Sequence, residues 1–123
     1  MTTDQWTVRL DVPADNRFLH IVRLTAAGAA SEAGLDAAEV EDVKIAVDEL
    51  CSIAMATADP SAVITLQFVA AAGRLQVEAS VPTTHELTVD AMGQAILDAT
   101  VDTFDCHRRD PGGFHLVKSH RGH

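Results

Sequence analysis

The sequence predicts an α+β sandwich in which helices are layered on one face of a single sheet, and three observations lead there. Apolar and polar residues alternate strictly along residues 6–12, as on a strand with one face buried. Two consecutive segments, 15–33 and from Asp36 to Asp59-Pro60, carry apolar residues at spacings of three and four. Two more strand-like runs then follow directly on those helices. Two helices and then a hairpin do not make the regular βαβ alternation of a doubly wound fold, which leaves helices packed on one sheet face.

Each element has its own local cause. Pro13 ends the first strand. Asp15 or Asn16 can cap the first helix, whose stripe is Phe18, Leu19, Val22, Ala26, Ala29 and Ala33, and Gly34 closes it. The second helix starts at Asp36, with Glu39 completing a D-x-x-E variant of the capping box. Its stripe of Val40, Val43, Val47, Leu50 and Ala54 is the strongest periodic signal in the chain. Residues 63–69 and 75–81, joined by a short connection containing Gly73, read as an antiparallel hairpin. A shorter helix over residues 89–99 places Met92, Ile96 and Ala99 on one side. Strands at 101–106 and 114–119 follow, separated by the turn residues 109–113. The order is therefore β-α-α-β-β-α-β-β.

The 123 residues suit one domain spanning 1–123, and a hydrophobic share of 47% is enough to build its core without disulfide or metal support. A formal charge of −9 argues against a counterion-release grip on nucleic acid, which needs clustered Lys and Arg. It leaves a basic protein partner open. Cys51 and Cys106 lack C-x-x-C spacing, which disfavours a disulfide framework or zinc knuckle and predicts a reducing, cytoplasmic compartment. The start shows no signal-peptide pattern, and charges, Pro or Gly break every apolar run before the length needed to span a bilayer, so no membrane association is expected.

Several polar groups are candidates for chemistry. His107, His115, His120 and His123 crowd the C-terminal segment, but their spacing fits no metal motif, and a surface cluster with no metal is expected. Gly112-Gly113 reads as turn chemistry, Cys51 and Cys106 as small buried apolar residues, and neither Ser52 nor Ser61 has a nucleophile-elbow context. Arg17, His20 and Arg23, three apart on the first helix, form a cationic patch on an acidic chain, readable as a contact site or as solvated side chains.

Residues 43–52, Val-Lys-Ile-Ala-Val-Asp-Glu-Leu-Cys-Ser, resemble the signature helix of the anti-sigma factor serine kinases, a branch of the GHKL (Bergerat) ATPases. The element order is similar from Trp6 to His120, and the closest resemblance is to actinobacterial anti-sigma factors with a degenerate nucleotide site. The resemblance implies a two-layer GHKL-like sandwich with a mixed, mostly antiparallel sheet and a shortened ATP lid. It also implies an alternative sigma factor and a STAS-domain anti-anti-sigma factor as partners, and a homodimer.

Departures from the family pattern decide what else carries over. Family kinases place a catalytic glutamate and, four residues on, an asparagine that holds Mg²⁺. Here Glu49 is matched, but the second position is Ile53, whose side chain has no lone pair for a hard cation. The D-x-G-x-G box that should follow the second hairpin strand is replaced by Val81-Pro82-Thr83-Thr84-His85, and only Gly93 remains of the glycine-rich lid exit. The expectation is a sequestering protein with a vestigial Glu49, no catalytic residues, no cofactor and no metal. Its degenerate positions are Ile53, Pro82 and Gly93, and its partner-binding residues Arg17, His20 and Arg23. ATP and Mg²⁺ enter only under the alternative, an active serine/threonine protein kinase that phosphorylates the antagonist. A scaffold repurposed for small-molecule sensing is a third possibility.

Overall fold

The computed structural model describes residues 5–83, 86–107 and 112–121. Along them run β1 (Trp6–Pro13), α1 (Leu19–Glu32), α2 (Ala37–Thr57), β2 (Val63–Ala71), β3 (Arg74–Val81), α3 (Ala91–Thr100), β4 (Thr103–His107) and β5 (Gly112–Ser119), in the expected order. The strands lie as β1-β2-β3-β5-β4. The expected α+β class is observed, with one refinement: every described pairing is antiparallel, so the sheet is not mixed.

Alternation decides which face is covered. Ile64, Leu66 and Phe68 of β2, Leu75 and Val77 of β3, and Phe114 and Leu116 of β5 are buried and share one core with Val22 and Ala26 of α1, Val43, Val47 and Leu50 of α2, and Leu97 of α3. Residues between them, such as Thr65, Gln67, Glu78 and His115, point to the opposite, uncovered face. Small residues on α1, Ala26, Ala29, Ala30 and Ala33, let it lie close against α2. Leu35 N–H bonding back to Ala30 O at 3.2 Å closes its end, with Gly34 at φ +95°, a conformation that favours glycine.

The structure departs from the periodicity reading in four places. The hairpin connection is two residues, Ala72-Gly73, because β2 and β3 each pair further than their apolar runs suggest. α3 buries Gly93, Leu97 and Thr100, one residue out of phase with the expected stripe. Met92 is 74% exposed and Ala99 also faces out. An apolar count misses that face because glycine and a threonine whose hydroxyl bonds Ile96 O (2.8 Å) do the packing there. Gly112 and Gly113 belong to β5, paired with Val81 and Ser80, and not to a turn. Cys106 is half-buried, whereas Cys51 is fully buried and its thiol is pushed up to about 12 by burial.

The capping box at the start of α2 is present, and it does more than cap. Asp36 Oδ1 accepts from Glu39 N–H and Glu39 Oε1 accepts from Asp36 N–H, both at 2.8 Å. Glu39 also takes His120 Nδ1 on Oε1 (2.7 Å) and Arg121 N–H on Oε2 (2.8 Å). His120 N–H in turn bonds Gly73 O, and Gly73 N–H bonds Ala33 O. One carboxylate thus joins the start of α2 to the C-terminal segment, which is tied through the β2–β3 turn to the end of α1. Nearby, buried Lys118 donates to Thr100 O (2.7 Å) and Asp42 Oδ2 (3.1 Å), linking β5 to α2 and to the negative end of α3.

These bonds set the pH response. The Asp36 N–H, the His120 ring and the Arg121 N–H, in that order, hold the Glu39 carboxyl down at about 2, from an ordinary 4.5. Its contribution is therefore present above 4.5 and lost as pH falls toward 2. The hydrogen bond to Glu39 raises His120 above 6.5, so its contribution is full below 6.5 and lost as pH rises through the raised value. Melting temperatures recorded across pH should fall on the alkaline side of 6.5 in the wild type, and that slope should flatten in His120→Ala. Identical slopes in the two proteins would show that the clamp does not titrate there.

Candidate functional site

Two regions carry the candidate residues. The first lies between α2 and α3. Glu49 and Ile53, one turn apart on α2, face the start of α3 and the core. Ile53 is half-buried and packed against apolar side chains. Glu49 reaches the first turn of α3. A Cβ built on Gly93 would stand 2.9 Å from Glu49 Oε2, 3.0 Å from Val89 Cγ1 and 3.2 Å from Asp90 Oδ1. The glycine is there for close packing of α3 against Glu49, whose negative charge sits favourably at a helix N-terminus. Gly93 N–H is already bonded to the cap, Asp90 Oδ1, at 2.7 Å.

The connection from β3 to α3 completes this region. Pro82 is exposed after buried Val81, and Thr83 Oγ1 donates to Thr57 O at 2.9 Å, fastening the chain to the end of α2. Leu87 is then turned into the hydrophobic core with 4% exposure, and Val89 packs against that core. Thr84 and His85 lie outside the described residues. The donor set does not fit Mg-ATP. The side chain at position 53 offers no oxygen, residues 81–85 hold no aspartate or glycine to meet a base, and the connection contributes apolar side chains to the core. Leu87 and Val89 are the residues that the sequence reading missed. Their alternation was visible, but nothing local says that a short loop turns inward.

The second region is the outer face of α1 and α2. Asp15 caps the turn before α1, accepting from Arg17 N–H (2.9 Å) and pairing with Arg17 Nε (3.2 Å), while the Arg17 guanidinium lies 5.2 Å from the centre of the Phe18 ring. His20 Nδ1 is 2.9 Å from Arg17 O. Arg23 Nη1 is 3.4 Å from Asp48 Oδ1 of α2, an ion pair without hydrogen-bond geometry, and Lys44 pairs with Glu41 at 3.4 Å. The two arginines thus each have an acidic partner, and the patch is not a bare cationic one.

A groove of about 430 Å³ between the helices takes in His20, Arg23, Leu24, Lys44, Ile45 and Asp48; Arg17 lies outside its lining. Leu24 is 69% exposed and Ile45 42%, with Ile21 also exposed on α1. Helical periodicity marks the buried stripe of each helix and leaves such outward apolar side chains unmarked.

Among the described residues the histidines do not form one cluster. His120 is committed to Glu39, His107 has its ring against Gly113, and His115 stands on the open sheet face opposite Glu78 and Asp105; His123 lies outside the described residues. Among the described residues, Asp36, Glu39 and His120 bring potential metal-ligand atoms within 4.8 Å of one another. The hydrogen bonds already held by Glu39 account for that gathering as a helix cap and clamp.

No protein-family model matches the chain. Over 73 residues it is 37% identical to the serine-protein kinase RsbW of Bacillus subtilis, covering 57% of this chain and 46% of that protein. Over 46 residues it is 44% identical to the serine-protein kinase RsbW of Halalkalibacterium halodurans, covering 37% and 28%. The chain thus spans less than half the length of these curated relatives. A solved structure of the RsbU and RsbW domains of a Mycobacterium tuberculosis protein superposes with a TM-score of 0.71 at 18% identity, over 94% of this chain and 32% of that one. The fold is of the GHKL type seen in RsbW domains, and the resemblance read from residues 43–52 is borne out.

Because Leu87 is buried in the hydrophobic core, Leu87→Ala should destabilise the protein by roughly 2–4 kcal/mol, the cost of an unfilled core position. Urea unfolding measures this, and a loss well under 1 kcal/mol would mean that the segment is only loosely seated.

Proposed function

We propose that this relative of the RsbW serine-protein kinases is an anti-sigma factor: it binds and sequesters an alternative sigma factor, is released by a STAS-type anti-anti-sigma factor, and does so without phosphoryl transfer. The observation that carries the binding half is the groove between α1 and α2, where Leu24 and Ile45 are exposed between charged side chains. Contiguous exposed apolar residues rimmed by charge mark protein contact sites. Such a groove suits the apolar face of a partner helix, with His20, Arg23 and Lys44 available to partner carboxylates. The observation that carries the other half is the unsuitable donor set, with no side-chain oxygen at Ile53 and no aspartate or glycine in residues 81–85.

The kinase alternative has one observation in its favour, the retained Glu49. Its carboxylate, however, is placed against Gly93 and the start of α3. Among the described residues no helix is long and apolar enough to cross a membrane, and a cytoplasmic location is part of the proposal. So is a homodimer.

Two measurements test this reading. Calorimetry with Mg-ATP should show no specific binding; a low-micromolar dissociation constant, or label transferred to a STAS protein and lost in Glu49→Ala, would establish the kinase instead. For the binding half, sigma factors that copurify with the tagged protein serve as surface-plasmon partners. Leu24→Glu should weaken that binding by about 2 kcal/mol or more, as removal of a central anchor does. Reversing Arg17 and Arg23 to Glu should slow association most at low salt. The same reversal at Arg108 and Arg109, which lie outside the described residues, changes the net charge equally and should do little. Equal losses from both pairs, with Leu24→Glu indifferent, would move the contact elsewhere.

A further inference from the structure

The chain carries a formal charge of −9, and one groove gathers carboxylates beside unpaired backbone. β4 is the last strand of the sheet and pairs with β5 alone, so among the described residues its outer N–H and C=O groups have no strand partner. Between this edge, α3 and the connection before α3 runs a groove of about 680 Å³. Phe104 and Cys106 turn to the helix side of β4 and, with Val89, are half-buried against the core as its apolar floor. Glu86, Asp98, Asp102 and Asp105 bring four carboxylates to it, and no Lys or Arg is among its lining residues. Asp102 accepts from Ser119 N–H at 3.0 Å and stands 3.8 Å from Arg121 Nη2. Asp98 takes only a neutral donor, Gln94 Nε2 at 3.1 Å, and neither Asp98 nor Asp105 has an ion pair among the described residues.

Each of these features narrows the occupant. An open strand edge takes an extended segment, which adds as a further strand through main-chain hydrogen bonds while alternate side chains settle beside it. The apolar floor asks for apolar residues on the helix side of that segment. Carboxylates on both flanks favour Lys or Arg in the partner, and they repel the phosphates of nucleic acid and of anionic lipid. A second copy of this chain does not fit. It holds 18 Asp and Glu against 9 Lys and Arg, and no two of those nine stand two residues apart, so none of its strands can present neighbouring basic residues along one face.

We propose that the groove between β4 and α3 docks an extended, Lys- or Arg-bearing segment of another protein. The segment pairs with the outer side of β4, lays apolar residues over Phe104 and Val89, and sets its cations against Asp98 and Asp105. This surface lies on elements that the α1–α2 groove does not use, and it stands whether or not that groove holds a sigma factor. It also gives the acidic balance of the chain a local use, as charge complementary to a basic partner.

Fluorescence anisotropy with a labelled peptide of alternating lysine and valine residues tests the groove on the intact protein. The peptide should bind saturably, and its glutamate–valine counterpart should not. Asp98→Lys together with Asp105→Lys should weaken binding at least roughly tenfold, since two attractions become repulsions. The control, Asp11→Lys with Glu32→Lys, changes the net charge equally at the opposite edge of the sheet and the end of α1, and should alter the affinity little. Bound peptide should slow amide hydrogen exchange over residues 103–107, as an added strand does. Circular dichroism confirms that each variant is folded. No saturable binding up to about 1 mM peptide, equal losses from both pairs, or exchange in β4 unchanged by the peptide would overturn the proposal.

Discussion

Glu39 holds together parts of the chain that sequence keeps far apart. Its carboxylate caps α2 through Asp36 N–H, as a helix N-terminus requires, and the same two oxygens receive His120 and Arg121 from the far end of the chain. His120 N–H then meets Gly73 and Gly73 N–H meets Ala33, so that helix ends, hairpin turn and C-terminal strand converge at one end of the sandwich. A two-layer domain has only one buried face with which to fix its helices on its sheet, and polar ties at the ends of elements set the register that apolar packing leaves loose.

At the other end of the helical layer α2 meets α3. A nucleotide-binding relative needs oxygen donors and close backbone approach there. This chain has Ile53 on the helix and a short connection that sends Leu87 into the core. Glu49 and Gly93, which could look like remnants of chemistry, have a mutual structural use: the absence of a Cβ lets the carboxylate lie over the first turn of α3. The retained residues and the lost ones are parts of one packing arrangement. That arrangement supports binding without phosphoryl transfer as the proposed role.

The proposed function therefore rests on a surface. The outer face of α1 and α2 exposes Leu24 and Ile45 between two ion pairs. It is an apolar groove rimmed by charge, which suits a protein proposed to hold a partner.

The sequence by itself determined the element order, the α2 capping box, the Gly34 stop and the lost oxygen at position 53. Each of these is a local matter of spacing, side-chain chemistry or backbone freedom, and each is legible within a few residues. The antiparallel order β1-β2-β3-β5-β4, the true buried face of α3, the Glu39–His120 clamp and the inward turn of Leu87 were decided only by tertiary structure. Gly93 and Thr100 could be recognised as packing residues only once Glu49 and the Ile96 carbonyl stood beside them. His120 looked like one of several surface histidines because its partner lies 81 residues away. Contacts of that separation follow from how the layers dock, and no local periodicity records them.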